Sequence, residues 1–370
     1  MIKKIIRLKK IPKTIWGSKY GIAGTNIKFY DGIIKGIEGA VDSEYKDIES
    51  GRIIQNISEE IDGETYISNK LVQRENFIKV DNIEYNSFES AMQAIEEIGT
   101  IELLKTTNYT NIEIPNNKNI TIDLKGNNLM LGLSTITNNG TLTITDTSEG
   151  EKGTISSINT TLQNNSGKKV IIENVTMLST NRCINNGGDL TIKNGKITST
   201  NEITINNYQK LVIDDGIIIS NSNNAINNSR DITINKGLVI GEKNGIYDTY
   251  KFGQITINGG SIEGKEIGIR EAKVIINGGQ INGFTYGLYK SNVTINNGII
   301  TGSDAVHGSG SITGGTIIGE TSAVRCWGTT TITGGTIIAK NGSSVISSTY
   351  ELSIGIKDGE VKDEPVIQGT

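Results

Sequence analysis

The sequence predicts an all-β fold wound as a solenoid of short stacked coils, and three observations carry that prediction. First, an Ile-x-Asn/Gly-Gly-x-Ile unit recurs about every twenty positions through the second half of the 370-residue chain. It runs from Ile192 to Ile197, Ile213 to Ile218 and Ile234 to Val239, and recurs from Ile257, Ile276, Ile295, Ile312, Ile332 and, more loosely, Ile356. Second, the apolar ends of each unit keep a fixed separation while the distance between units drifts. A rigid strand–turn–strand corner joined by elastic loops behaves this way. Third, only 5% of residues are aromatic and three are proline, against 45 glycines. β-Branched residues alternating with Asn and Gly suit short strands and tight turns.

Residues 1–83 do not repeat and read as a β-rich segment or tether. Stretches 26–30 and 65–68 alternate like strands, and Asp31-Gly32 and Asp62-Gly63 are hairpin dipeptides. Residues 84–99 form the one amphipathic helix expected. Asn86 is placed to cap it with Glu89 three residues on, Phe88, Met92, Ile95 and Ile98 follow at helical spacing, and Gly99 stands where a C-cap belongs. Such a helix before a solenoid is expected to cover its open apolar end. Residues 100–370 then supply about twelve coils, opening with strands at 100–104 and 120–124 and irregular at 141–144 and 170–173. No second cap follows Val361. The last coil is expected to meet a partner subunit in a homo-oligomer such as a trimer, to continue in a longer protein, or to be shielded by Asp363, Glu364 and Pro365.

The helix, the Ile101-Glu102-Leu103-Leu104 strand and the Ile-x-Asn-Gly coils together resemble right-handed parallel β-helix proteins of the pectin-lyase-like superfamily. Within it the chain is similar to non-catalytic bacterial surface proteins and phage tail spikes. The resemblance covers about residues 84–361 and implies the fold specifically. For function it implies only a range of lyases, hydrolases, adhesins and stalks.

Aligning the coils exposes their columns. An inward column reads Ile184, Ile205, Ile226, Ile246, Ile269, Leu288, Val306, Val324, Ile346 and belongs to the core. Strand alternation sends the next residue outward, in the column Asn185, Asn206, Asn227, Tyr247, Arg270, Tyr289, His307, Arg325, Ser347. The third column reads Asn186, Asn207, Asn228, Asp248, Glu271, Lys290, Gly308, Cys326, Ser348. The first three coils of this set thus predict a double ladder of stacked asparagine amides. Another ladder is expected at the corners, through Asn258, Asn277, Asn296, Thr313 and Thr333, with Gly259, Gly278, Gly314 and Gly334 beside it at positive φ.

From Tyr247 the outward column changes from amide to aromatic and basic. Tyr247, Arg270, Tyr289, His307 and Arg325 are the candidate ligand-binding residues, with Tyr250, Phe252, Phe284, Tyr286 and Trp327 near them. Rings and guanidinium groups about 4.8 Å apart suit stacking on sugar rings and pairing with acidic sugars. The same residues also pack well on one another as plain sheet surface.

Catalysis has weaker support. Asp214-Asp215 and His307-Gly308 echo parts of polygalacturonase motifs. They lack the glycine before His307 and a following Arg-Ile-Lys segment, and lie over four coils apart, about 20 Å, too far to share a proton. Asp248 and Glu271, on successive coils of one column, are the alternative pair for a tail-spike-like depolymerase. No cofactor or metal is implied. The net charge of −4 argues against a nucleic-acid partner. Cys183 and Cys326 lie seven coils apart, about 34 Å, beyond disulfide reach. The basic stretch from Lys3 to Lys13 is not followed by an apolar run, so it is no standard signal peptide, and no membrane span is seen. The expectation is a non-enzymatic surface or virion fibre that binds cell-surface glycan or polysaccharide. Depolymerase and inert stalk stand as the alternatives.

Overall fold

The structure is a computed structural model that describes residues 14–17, 20–23, 27–29, 33–41, 45–48, 52–61, 64–73, 75–250, 252–341, 344–355 and 365–369. The chain divides into two compact units, Met1–Ala94 and Ile95–Thr370.

The first unit is β-rich, as its alternating stretches predict. Strands Thr14–Gly17, Ile33–Gly36, Glu64–Gln73 and Arg52–Ile61 form a four-stranded sheet in that order. The first pair is parallel and the other two antiparallel. The dipeptides Asp31-Gly32 and Asp62-Gly63 lie outside the described residues. The helix is shorter than its apolar spacing predicts, running only from Phe88 to Ala94. Ser87, not Asn86, caps it: the Ser90 amide donates to Ser87 Oγ at 3.1 Å. Phe88 packs on Phe77 with ring centres 5.8 Å apart.

Ile98 and Gly99, expected in the helix, instead open a strand, Ile98–Leu103, that pairs Ile98↔Asn119 and Gly99↔Ile120. Ladder bonds to the next coil outweigh a helical turn here. Gly99 is glycine for room rather than as a cap, because a Cβ there would stand 2.7 Å from the Ile95 side chain.

The second unit is a parallel β-solenoid of about 12 turns. Each turn presents three faces, illustrated by Ile184–Asn186 on the first, Asp189–Ile192 on the second and Gly195–Ser199 on the third. Every face stacks in parallel on its counterpart one coil on. The inward column holds its aligned register from Ile184 to Ile346 without a slip. All its members except Ile346 are buried. Each such side chain contributes about 1.5–3 kcal/mol by leaving water. The second and third faces add their own inward rows, Ile192, Ile213, Ile234 and Ile197, Ile218, Val239, all 0% exposed. Cys183 and Cys326 are free thiols.

The corner ladder forms through Asn258, Asn277, Asn296 and Thr313, without a side-chain bond shown for Thr333, and reaches further down the stack than expected. Asn296 donates to Asn277, Asn277 to Asn258, Asn258 to Asn235 and Asn235 to Asp214, at 2.8–2.9 Å. Thr313 joins its upper end by donating to Asn296 at 3.1 Å. The positive-φ position is the second glycine of each pair, not the first: Gly260 has φ 81° and Gly279 φ 84°. The first glycines answer to close approach instead. A Cβ on Gly278 would stand 2.8 Å from the Asn258 carbonyl oxygen of the coil below. The loose corner from Ile356 to Val361, and Asp363 and Glu364, lie outside the described residues.

Candidate functional site

On the first face, two stretches of coil differ. In the lower stretch the third column is a continuous buried amide ladder. Asn138 donates to Asn164, Asn164 to Asn186, Asn186 to Asn207 and Asn207 to Asn228, each at 2.8–2.9 Å. The outward column beside it is in register but is not a second full ladder. Asn185 donates to Gln163 one coil below, whereas Asn227 accepts from Asn224 within its own coil. The expected double ladder is therefore one ladder inside and isolated amide bonds outside.

The upper stretch begins at Tyr247. Register places Tyr247, Arg270, Tyr289, His307 and Arg325 on one outward column of five successive coils, as aligned. The Arg270 guanidinium lies between two rings, 5.1 Å from the centre of Tyr247 and 5.8 Å from that of Tyr289. Tyr289 meets His307 edge-on at 5.2 Å, and His307 lies 5.9 Å from Trp327. Tyr286 closes the group, 4.5 Å from Tyr289 and 5.6 Å from His307. Arg325 pairs with Asp304 at 3.0 Å and Arg270 with Glu271 at 3.3 Å.

Backbone changes build this platform. In the lower coils first-face strands are three residues long, as in Ile205–Asn207 and Ile226–Asn228. From Asn244 they lengthen on the upstream side, so that Asn244, Ile267, Tyr286, Asp304 and Ser322 form a further paired row. The turn leading into the face changes with them. Its hinge residue is Ser199 and Ser220 below, then Gly241, Gly264 and Gly283 above. A Cβ on Gly264 would overlap the Ile267 carbonyl oxygen, so only glycine permits the tighter turn. Tyr286 and Asp304 reach the stripe through this added row. They sit three residues before Tyr289 and His307, a spacing that aligning one more column of the sequence would reveal.

Burial and neighbouring charge make the single histidine harder to protonate. Burial, then the Arg325 charge, then Lys290 push the His307 pKa below its ordinary 6.5, against the opposing pull of Asp304. Its Nδ1 is buried without a hydrogen-bond partner. Tyr286 is shifted the other way, raised by burial and then by Asp304 and Tyr289.

The third column departs from its alignment above Tyr247. Asp248 is 0% exposed, continuing the buried column of the ladder. Glu271 and Lys290 adopt left-handed backbone, φ 57° and 51°. The register between the coils of Asp248 and Glu271 runs Asn244↔Ile267, Ile246↔Ile269 and Tyr247↔Arg270, and includes neither carboxylate. Sequence alignment put both in one outward-facing pair. The strand ends at Arg270, and Glu271 follows it in left-handed backbone outside the paired column, while complete burial denies Asp248 to a polysaccharide.

Tyr250 and Phe252 stack on each other at 6.0 Å, with Arg230 over Phe252 at 5.6 Å. They form a separate patch on the loop after the Tyr247 strand. Phe284 is 84% exposed on the turn before the Tyr286 strand. A groove of about 390 Å³ lies lower down, lined by Asp189, Gln209, Lys210, Arg230 and Asp231. Its lining mixes two aspartates with a lysine and an arginine, and none of the stripe residues enters it. Among the described residues no group of three His, Cys, Asp or Glu side chains is placed to hold a metal ion. None of their helices is long and apolar enough to cross a membrane.

Comparison with protein-family models gives no match, and neither the curated proteins nor the solved structures give one.

Proposed function

We propose that the chain is a non-enzymatic surface or virion fibre, a right-handed β-helix of the pectin-lyase-like kind, that binds cell-surface carbohydrate through Tyr247, Arg270, Tyr289, His307 and Arg325. One observation carries the reading: five successive coils present rings and guanidinium groups in one outward row, joined at the side by Tyr286 and Trp327. Aromatic faces offer apolar area to the C–H side of sugar rings, and Arg supplies directional donors to hydroxyl and acidic groups. A rigid solenoid holds these groups in place before the ligand arrives, which lowers the entropic cost of binding.

Burial of Asp248 weighs against the depolymerase alternative, because a nucleophile or acid must touch the scissile bond. A plain stalk would not require the amide surface of the lower coils to give way to half-exposed tyrosines.

A glycan array probed with wild type and Tyr289→Ala tests the reading. Hits for wild type that weaken at least about tenfold in the variant (~1.4 kcal/mol), with no shortening of the bound polysaccharide on incubation, are the expected outcome. Shortening would restore the enzyme reading, and an array without hits would leave the stalk.

A further inference from the structure

We infer that the carbohydrate bound at the stripe carries an anionic substituent, a carboxylate, sulfate or phosphate, and that Lys290 is the residue that reads it. The inference rests on the carbohydrate reading above and narrows it.

Sequence alignment sets Lys290 in the column of Asn186, Asn207, Asn228 and Asp248, all of which are buried at 0–1% exposure. The structure removes it from that column. Register slips between Tyr289 and Ser291, and Ser291 takes the ladder position opposite Gly308. Ser291 is the buried residue there, at 2% exposure. Lys290 is the extra residue of the bulge, in left-handed backbone at φ 51°. That conformation is strained for a residue with a Cβ, and strain of this kind gathers at binding sites. Glycine at this position would remove the strain and with it the side chain.

The side chain reaches onto the stripe. Its ammonium lies 5.3 Å from the centre of the Tyr289 ring and 5.2 Å from that of Trp327. It therefore spans the coil of His307, where Gly308 and Gly310 follow with no side chain to obstruct it. Ring faces attract a cation but cannot accept its three N–H groups as carboxylate oxygens do. The two arginines of the stripe already have carboxylate partners, Arg270 in Glu271 and Arg325 in Asp304. Among the described residues no carboxylate is seen in an ion pair with Lys290, whose charge is among those that lower the His307 pKa. Lys290 is thus an uncompensated positive charge beside Trp327, a stacking surface that remains 46% exposed. A sugar ring on the indole would bring its charged substituent to the ammonium.

The test is a polysaccharide array divided into neutral, carboxylated, sulfated and phosphorylated members, read with the full chain as wild type, Lys290→Gln, Lys290→Arg, Lys290→Gly and Trp327→Ala. Wild type should bind acidic members in preference to neutral ones and weaken as ionic strength rises. The acidic class that binds identifies the substituent. Lys290→Gln should lose about tenfold or more, Lys290→Arg should keep most of the affinity, and Trp327→Ala should lose binding as well. Lys290→Gly carries the sharpest expectation: thermal stability equal to or above wild type, because the strained position is relaxed, with binding lost. A lysine kept only for packing would not separate those two readouts. Equal binding of neutral and acidic members, or full affinity in Lys290→Gly, overturns this inference and leaves the carbohydrate reading standing. An array on which nothing binds overturns both.

Discussion

The lower and upper coils of the solenoid share one core and differ in almost everything attached to it. Between Ile184 and Ser220 the first face is short and entered through serine-hinged turns, with a buried asparagine ladder beneath it. Between Asn244 and Ile332 it is wider and entered through glycine-hinged turns, and it carries interleaved rings and cations. From Tyr286 onward its strands run on through the corner into the next face, as 10-, 14- and 17-residue segments. Polar satisfaction stabilises the lower stretch: each amide donates upward and accepts from below. In the upper stretch polar and aromatic groups face outward, where they contribute less to folding and more to contact. A repeat can thus keep its inward residues constant while its outward residues vary freely from coil to coil.

Exchanging the hinges gives the largest expected effect. Gly264→Ser forces an atom into the Ile267 carbonyl, and should cost about 3 kcal/mol or more in denaturant unfolding together with loss of ligand binding. The reverse change, Ser220→Gly, loses the 2.7 Å bond to the Glu202 carbonyl without creating a clash. It should cost only about 1–2 kcal/mol. Equal costs would mean that the two turns are interchangeable and that the contrast is one of sequence alone.

Next come the side chains of the two columns. Asn207→Leu breaks two links of the buried ladder: Asn186 Nδ2 keeps only its bond to the Lys210 carbonyl, and Asn228 Oδ1 keeps only a long bond from the Arg230 amide, a cost of about 2–3 kcal/mol. Tyr289→Ala removes half-exposed ring contacts and should cost about 1 kcal/mol in stability, while binding falls much further. A Tyr289→Ala protein as destabilised as Asn207→Leu would make the stripe a structural element.

A smaller effect concerns pH. His307 has a folded pKa below its ordinary 6.5, so as pH drops beneath that value the unfolded chain takes up the proton first. Stability is then fully present above about 6.5 and declines through the window just beneath it. Melting temperature against pH should show that slope in wild type and lose it in His307→Gln. An unchanged slope would assign the effect to other groups. The charged and titratable neighbours in this balance are Arg325, Lys290 and Asp304, with Tyr286 and Tyr289 beside them.

The inward columns and the stripe register were legible because apolar residues and their outward neighbours recur at fixed offsets, so counting from Ile246 to Ile269 to Leu288 lands on Tyr247, Arg270 and Tyr289. Counting fails where the backbone adds a residue. The bulge at Lys290 shifts Ser291 into the ladder, and no local pattern in Tyr289-Lys290-Ser291 announces it. Helical spacing of Ile95 and Ile98 extended the helix on paper, whereas Ile98 pairs with Asn119 in a parallel ladder. That pairing depends on a residue twenty-one positions away. The glycine pairs illustrate a subtler limit: Gly278 and Gly279 are both required, one by a neighbouring carbonyl and one by φ 84°, and the letters alone do not say which is which.

On the proposed function, ligand meets the upper coils. The chain has two tryptophans, so in a Trp16→Phe background the emission comes from Trp327 alone. Titrating that protein with a polysaccharide taken from the array should give a saturable change in Trp327 emission with the dissociation constant found by an independent binding method. Binding confirmed independently while Trp327 emission stays constant would place the ligand elsewhere on the molecule and contradict the account.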